Sequence, residues 1–409
     1  MFFLYNLLTI LTGYTLKIVA LFSPKIRLFV QGRKIVFGTL KQNISQQDKT
    51  IWFHAASLGE YEQGLPVMEK IRLMYPSHKI VLTFFSPSGY EIRKNTKAAD
   101  VVVYLPLDTS SNAKKFVEMV HPDFAFFVKY EFWPNYLREL KNNNVPTHLI
   151  SGIMRENQIF FKWYGGFYRK ALKTFSHFFV QNNSSKELLQ KAGFHNVSVS
   201  GDTRFDRVSE ILERDNSLTF IEEFVNDKIT VVAGSTWPKD ESMLTGFINS
   251  SNNIKFIIAP HNIKSEQIEE LKKSISKPVI LFSDKEGKSL AEYDVFIIDT
   301  IGILGKIYSY ADIAYVGGGF GTSGLHNILE PAAFAIPVVI GPNHEKFPEA
   351  GAMIQMGGCI SVKDKKELED TFSTLIYDDD YRMEKGHIAG TFVSMNRGAV
   401  NHIINNIRN

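Results

Sequence analysis

The sequence predicts an α/β protein built from two doubly wound, Rossmann-like domains facing a cleft, preceded by an apolar helix. Three observations carry that expectation. The chain has 409 residues, too many for one hydrophobic core and natural for two. Short apolar runs without helical period alternate with amphipathic helical patterns, the order of a parallel sheet with helical crossovers. A polar, acidic stretch from Arg207 to Lys228 divides those runs into two series. Hydrophobic residues make up 44% of the chain, enough to fill both cores.

The chain opens on Met1–Phe22, almost wholly apolar and interrupted by a few polar residues such as Asn6, Thr9 and Lys17. No basic front or small-residue cleavage site marks it as a secretory signal. Its length just suffices to span a bilayer, but Lys17 would then sit inside. The expectation is a membrane anchor over residues 1–34, spanning or lying in the interface. Lys25, Arg27, Arg33 and Lys34 would face anionic headgroups, and Phe2, Phe3 and Tyr5 would sit at the interface.

The first domain is expected over residues 35–210. Strand-like runs fall at 51–54, 80–85, 101–105, 124–128, 147–150, 177–180 and 197–199, with helical patterns between them, as at 112–120, 134–142 and 184–192. After the first run comes Ser57-Leu58-Gly59-Glu60, where Ser57 and Gly59 read as a turn. Leu65, Met68 and Ile71 then follow near helical spacing. Glu60 is thereby placed in the first turn of a helix, at the carboxyl edge where open α/β sheets bind ligands. The helix dipole favours its ionised form, so Glu60 is a candidate proton acceptor, though a residue that merely complements the dipole reads the same way.

The second domain is expected over 211–385, with runs at 229–233, 256–259, 279–282, 295–298, 313–316 and 337–340. Polar loops follow several of these runs. Gly234-Ser235-Thr236, Pro260-His261 and Thr300-Ile301-Gly302 would share one face with the glycine segment Gly317-Gly318-Gly319-Phe320-Gly321-Thr322-Ser323-Gly324. Glycines let backbone N–H groups approach a phosphate, and strand–glycine–helix is the context that makes such a run informative. Asn327 and Glu330, three apart on the following helix, could receive ribose hydroxyls. The segment is not GxGxxG, which disfavours a nicotinamide cofactor. The last stretch, 386–409, is expected as a helix that packs back on the first domain.

Net charge of +3 is too small to argue for nucleic acid. The single cysteine, Cys359, excludes an internal disulfide framework and reads as a small buried residue. No His/Asp/Glu cluster has metal-ligand spacing, so neither a metal nor a cofactor is expected.

Five motifs occur in order: His54-Ala55-Ala56-Ser57-Leu58-Gly59-Glu60, Tyr104-Leu105-Pro106-Leu107-Asp108, Glu131-Phe132-Trp133-Pro134-Asn135, Gly201-Asp202-Thr203-Arg204-Phe205-Asp206 and His326-Asn327-Ile328-Leu329-Glu330. Together they resemble the 3-deoxy-D-manno-octulosonic acid (Kdo) transferases, membrane-associated lipid A glycosyltransferases of Gram-negative bacteria, and the resemblance covers nearly the whole chain. It implies a GT-B fold, CMP-Kdo as donor substrate, a lipid A precursor of the lipid IVA type as acceptor, and a place on the cytoplasmic face of the bacterial inner membrane. By the same resemblance Glu60 matches an inverting enzyme's base, and Arg204 and Lys129 fall at positions of transition-state stabilisers. Ser57, Gly59 and Arg155 would shape the acceptor side. The donor side would comprise Ser235, Thr236, Pro260, His261, Ile301, Gly302, Ile303, Gly318, Gly319, Asn327, Ile328, Leu329 and Glu330. The sequence departs from the family pattern at Lys129, where an acid is usual, at His261 for an arginine, and at Ile303 for a glutamate. Arg155 is offset from an arginine expected near Ile153. Two other readings share the architecture: a UDP-sugar transferase or nucleotide-sugar epimerase, and a membrane-tethered nucleotide-binding scaffold without turnover.

Overall fold

A computed structural model describes residues 1–322 and 324–407. The chain forms two compact units, one of Met1–Asp206 with the segment from Gly398 onward, the other of Arg207–Arg397.

The first unit holds a parallel sheet of β1 (Lys49–Ala55), β2 (His78–Phe84), β3 (Val101–Tyr104), β4 (Pro122–Val128), β5 (Thr147–Gly152), β6 (His177–Val180) and β7 (Val197–Val199), in the order β3-β2-β1-β4-β5-β6-β7. Strand side chains alternate between faces. Trp52 of β1 therefore packs with Phe116, Phe127 and Tyr136 on one side, while Ile51 and Phe53 pack with Val67, Met68 and Phe126 on the other. Strand order reverses between β1 and β4. At such a switch point successive crossovers leave in opposite directions, opening a crevice at the carboxyl ends of the two strands.

The expected terminal helix is two helices. Asp379–Met395 stays in the second unit, the chain turns at Gly398 (φ 105°), and Ala399–Ile407 covers the second face of the first sheet through buried Val400, Ile403 and Ile404. Asp206 fastens that return by accepting from Gly398 N (2.8 Å) and Val400 N (3.2 Å).

The first helix, Phe2–Val19, is long and apolar enough to cross a membrane and has no fully buried residue. One stripe of it is nevertheless held to the first unit. Tyr5 donates to Asp108 (2.8 Å), Asn6 accepts from Ser110 N (2.8 Å), and Phe2 meets the edge of Phe167 at 4.8 Å. Of the three aromatics expected at an interface, Phe3 alone stays exposed, at 82%. The basic segment also divides. Lys25 and Lys34 are exposed and Arg27 binds the carbonyls of Ala20 and Leu21. Arg33 turns inward instead, stacked 3.4 Å from the Phe29 ring and donating to Phe85 O.

The second unit repeats the plan with β8 (Thr230–Thr236), β9 (Lys255–Pro260), β10 (Val279–Leu281), β11 (Val295–Ile297), β12 (Ile313–Val316), β13 (Val338–Ile340) and β14 (Cys359–Ser361), ordered β10-β11-β9-β8-β12-β13-β14. The insertion of β11 between β9 and β10 departs from simple strand succession. The switch point falls between β8 and β12. The stretch 207–228, expected only to separate the domains, contributes to this core: helix Thr219–Val225 buries Ile221 and Phe224 completely. Cys359 opens β14 and is buried, and burial pushes its thiol far above the usual range, leaving it an inert apolar side chain.

Candidate active site

The carboxyl ends of β1 and β4 bring together Ser57, Glu60, Lys129 and Glu131. Helix Leu58–Met74 begins immediately after β1, with Ser57 extended at its N-cap (φ −139°). Gly59 is thus already helical rather than part of a turn, and Glu60 is the third helical residue. A carboxylate there faces unpaired backbone N–H groups and the positive end of the dipole. The Ser57 hydroxyl does not cap the helix; it donates to the Glu60 carboxylate. Glu60 is 8% exposed. A Cβ at Gly59 would meet nothing nearer than Ser57 Oγ at 3.9 Å, so the glycine leaves open space beside that pair rather than serving backbone conformation.

Lys129 follows β4 with φ 65°, a left-handed conformation costly for a side chain with a Cβ. That turn brings its Nζ to 3.9 Å from Glu60 Oε1. Two residues on, burial first and the neighbouring Glu60 charge second push the Glu131 carboxyl up to about 7, with Lys129 opposing. Glu131 carried no assigned role in the sequence reading. Its signal was its place in a polar turn after an apolar strand, but the electrostatic neighbourhood arises only when β4 pairs beside β1.

Several motif residues hold this edge rather than act at it. Buried His54 accepts from Trp133 Nε1 at 3.0 Å, which leaves its other nitrogen to donate to Thr83 Oγ1 at 2.9 Å. Burial pulls its pKa down to about 3, so the imidazole is neutral. Asp108 accepts from Asn135 N (3.1 Å), Tyr136 N (3.0 Å) and Tyr5 OH (2.8 Å). It therefore caps helix Pro134–Asn142 from a distant loop. Burial outweighs those donors and raises its carboxyl to about 6.

Arg204 starts helix Thr203–Glu210. Its Nε and Nη2 reach Asp202 Oδ2 at 2.9 and 2.7 Å, a charge-assisted clamp that aims the guanidinium. Gln63, one turn beyond Glu60, approaches Asp202 at 3.4 Å, and its carbonyl accepts from Thr203 Oγ1 at 2.6 Å. The Glu60 helix and the Arg204 helix are thereby tied together. Arg155 is exposed after β5, and its N–H donates to Gln158 Oε1.

In the second unit, Ser235 and Thr236 end β8 and the glycine segment leaves β12, side by side at the switch point. Ser235 is left-handed (φ 54°), as Lys129 is in the first unit. Gly318 has φ 97°, and a Cβ there would lie 2.1 Å from Gly324 O, so only glycine fits. Buried Asp240 organises the edge, accepting from Gly318 N (2.9 Å), Trp237 N (2.9 Å) and Tyr315 OH (2.8 Å). His261, after β9, stacks on Trp237 at 4.4 Å and lies 4.6 Å from His326, which accepts from Trp237 Nε1. Burial pulls both histidines down, His326 to about 4, so this stack is neutral at physiological pH. Trp237 and His326 stood in a polar loop and a motif of the sequence without a role of their own, and Asp240 was not singled out, because a stack formed from three loops has no linear spacing.

The glycine segment differs from expectation in one respect. The helix after it is only Leu329–Ala333, so Asn327 stands outside it, accepting from Leu329 N (3.2 Å) and donating to Glu330 (3.0 Å). Ile328 and Leu329 are buried, as core residues are. Gly302 is left-handed (φ 94°) and Ile301 is 80% exposed. Gly319 packs backbone to backbone on Gly341, and Pro260 and Ile303 are half-buried. Ser323 lies outside the described residues.

Residues 32–207 match the family model described as 3-Deoxy-D-manno-octulosonic-acid transferase (kdotransferase). The chain is 26% identical to the 3-deoxy-D-manno-octulosonic acid transferase of Haemophilus influenzae over 98% of its own length and 97% of the relative's. It is 29% identical to that of Chlamydia trachomatis serovar A (88% and 86%), and 28% to that of Aquifex aeolicus (82% and 88%). Among solved structures, UDP-GlcNAc 2-epimerase of Neisseria meningitidis matches with TM-score 0.62 and 15% identity over 88% of this chain and all of that one. MurG of Acinetobacter baumannii matches with TM-score 0.55 and 11% identity over 88% and 99%. These structural likenesses speak to fold alone: a GT-B-like pair of Rossmann-like units. With the family model on its first unit and relatives of one description along nearly its whole length, this chain is similar throughout to the 3-deoxy-D-manno-octulosonic acid transferases.

Proposed function

We propose that this protein is a glycosyltransferase of lipopolysaccharide biosynthesis that moves Kdo from CMP-Kdo to a lipid A precursor of the lipid IVA type, with inversion, at the cytoplasmic face of the inner membrane. The observation that carries the reading is the relation to Kdo transferases along 98% of the chain. Glu60 takes the proton of an acceptor hydroxyl as that oxygen attacks the anomeric carbon. The bond from that carbon to the CMP phosphate breaks with its electrons, and CMP departs. The helix start and Lys129 put positive charge beside the carboxylate assigned as base. Arg204, aimed by Asp202, is assigned to the negative charge that develops on the phosphate. The turns around Ser235, Gly302 and Gly318 and the Trp237–His261–His326 stack are assigned to CMP. The acceptor is amphiphilic, and the exposed stripe of the first helix, with Trp163 exposed at 91%, suits meeting it at a bilayer surface.

The test is incubation of the purified full chain with CMP-Kdo and lipid IVA, with mass spectrometry of the lipid. Addition of a Kdo mass is expected, and Glu60→Gln should reduce turnover by roughly 10²–10⁴ without unfolding. Thermal stabilisation by UDP and not by CMP would overturn the donor assignment.

A further inference from the structure

A cavity of about 310 Å³ lies beneath the first helix, walled by that helix, by helix Pro24–Lys34 and by the loop before Asp108. Its volume is at the lower end of ligand pockets. Ile10, Val30 and Leu107 contribute apolar walls, while Lys17, Arg33 and Lys34 are its charged residues; no acidic residue lines it. Among the described residues none of the three cations is paired with a carboxylate. Lys17 rests over the Tyr14 ring (5.0 Å), and Arg33 is held by Phe29, the Phe85 carbonyl and Tyr104, with its buried Nε unbonded. Burial lowers Arg33 only to about 9, so it remains cationic at neutral pH. Arg33 is a largely buried cation with no carboxylate beside it, Lys17 and Lys34 stand exposed at the rim, and the hollow opens beneath a helix whose outer stripe is exposed and apolar, a setting that favours an anion carrying an apolar tail. A soluble anion would leave the walls unfilled, and a neutral lipid would leave the cations uncompensated.

We propose that this cavity holds an acyl chain of a phosphate-bearing lipid, with Lys17, Arg33 and Lys34 meeting the phosphate. The site is separate from the Glu60 cluster but adjoins the same sheet edge: Arg33 bonds Phe85, whose ring stacks on Trp133 at 4.6 Å, and Trp133 bonds His54 of β1. A lipid seated here fastens the first helix to its unit. The inference concerns binding and does not require turnover.

Native mass spectrometry of the full chain in mixed micelles tests it, with dimyristoyl phosphatidic acid as probe and dimyristoyl phosphatidylcholine and inorganic phosphate as the other arms. One phosphatidic acid per chain should be retained at least about tenfold more strongly than phosphatidylcholine. The exposed double variant Lys17→Glu/Lys34→Glu should erase that preference. Val30→Trp, which fills the cavity, should lower retention of the lipid by at least about tenfold, since each buried methylene is worth about fourfold. Melting curves of Val30→Trp check that it folds, and the charge variant tests the site should it not. Equal retention of both lipids, unchanged retention in both variants, or inorganic phosphate competing as strongly as the lipid would overturn the proposal. Lipid retained here by a protein that transfers no sugar supports this site and counts against the transferase reading.

Discussion

Removing the Asp108 carboxylate separates its two tasks, capping one helix and latching another. In Asp108→Ala the N–H groups of Asn135 and Tyr136, both on fully buried residues, and the Tyr5 hydroxyl lose their acceptor. A lost cap costs about 1 kcal/mol, and each buried donor left unmatched about 1–3 kcal/mol. Water reaches the Tyr5 hydroxyl more readily than the two buried amides, so the total should be about 4 kcal/mol. For a unit of this size that lowers the melting temperature by about 10 °C. Tyr5→Phe breaks only the latch and should cost about 1 kcal/mol, or about 2–4 °C. The two lesions share one bond, so Tyr5→Phe should cost nothing further in the Asp108→Ala background, a coupling of about 1 kcal/mol. Calorimetry of the four proteins gives the cycle. Hydrogen exchange of residues 2–19 should speed up in both single variants, while 134–142 should speed up only in Asp108→Ala. Additive melting shifts, or an Asp108→Ala shift under 2 °C, would refute the reasoning.

Three further outcomes follow from the same groups. Glu131 titrates near 7 in the folded state and about 4.5 unfolded, so the folded state holds an extra proton between those values and Glu131's contribution to stability falls as pH rises through that window. His54 and His148, pulled down to about 3 and 4, have the opposite sign, their contribution being lost as pH falls below about 6.5. The effects offset one another, so Glu131→Gln should be about 2 kcal/mol less stable at pH 5 relative to pH 7 than the parent, and denaturant titrations showing the same pH dependence in both would contradict this. Gly318→Ala must place a Cβ against Gly324 O in a left-handed turn; CMP affinity by calorimetry should fall at least about tenfold, and unchanged affinity would remove that turn from the donor site. Lys129→Met removes the cation 3.9 Å from Glu60, so turnover should fall by at least about tenfold with the melting temperature little changed; turnover equal to the parent's would deny the pair a role.

Local chemistry made much of this protein legible before any coordinates. The apolar runs at 51–54 and 124–128 lie within β1 and β4 because parallel strands buried on both faces are written as continuous apolar stretches. Glu60 could be put in the first turn of a helix from the spacing of Leu65, Met68 and Ile71 alone. Gly318 could be read only as one of a glycine run that lets backbone approach a phosphate; that its own left-handed turn admits no Cβ came from the structure. Other features had no local signature. That β1 lies beside β4 rather than β3 is a matter of which hydrophobic faces meet, and it alone brings Lys129 and Glu131 to Glu60. That Asp108 caps a helix beginning 26 residues later, that Arg33 turns inward beneath Phe29, and that the chain divides at Gly398 to send its last helix back to the first sheet are long-range outcomes. Propensity and periodicity act over a few residues, whereas burial, which sets the charge states of His54, Asp108 and Glu131, exists only once the whole unit has closed around them.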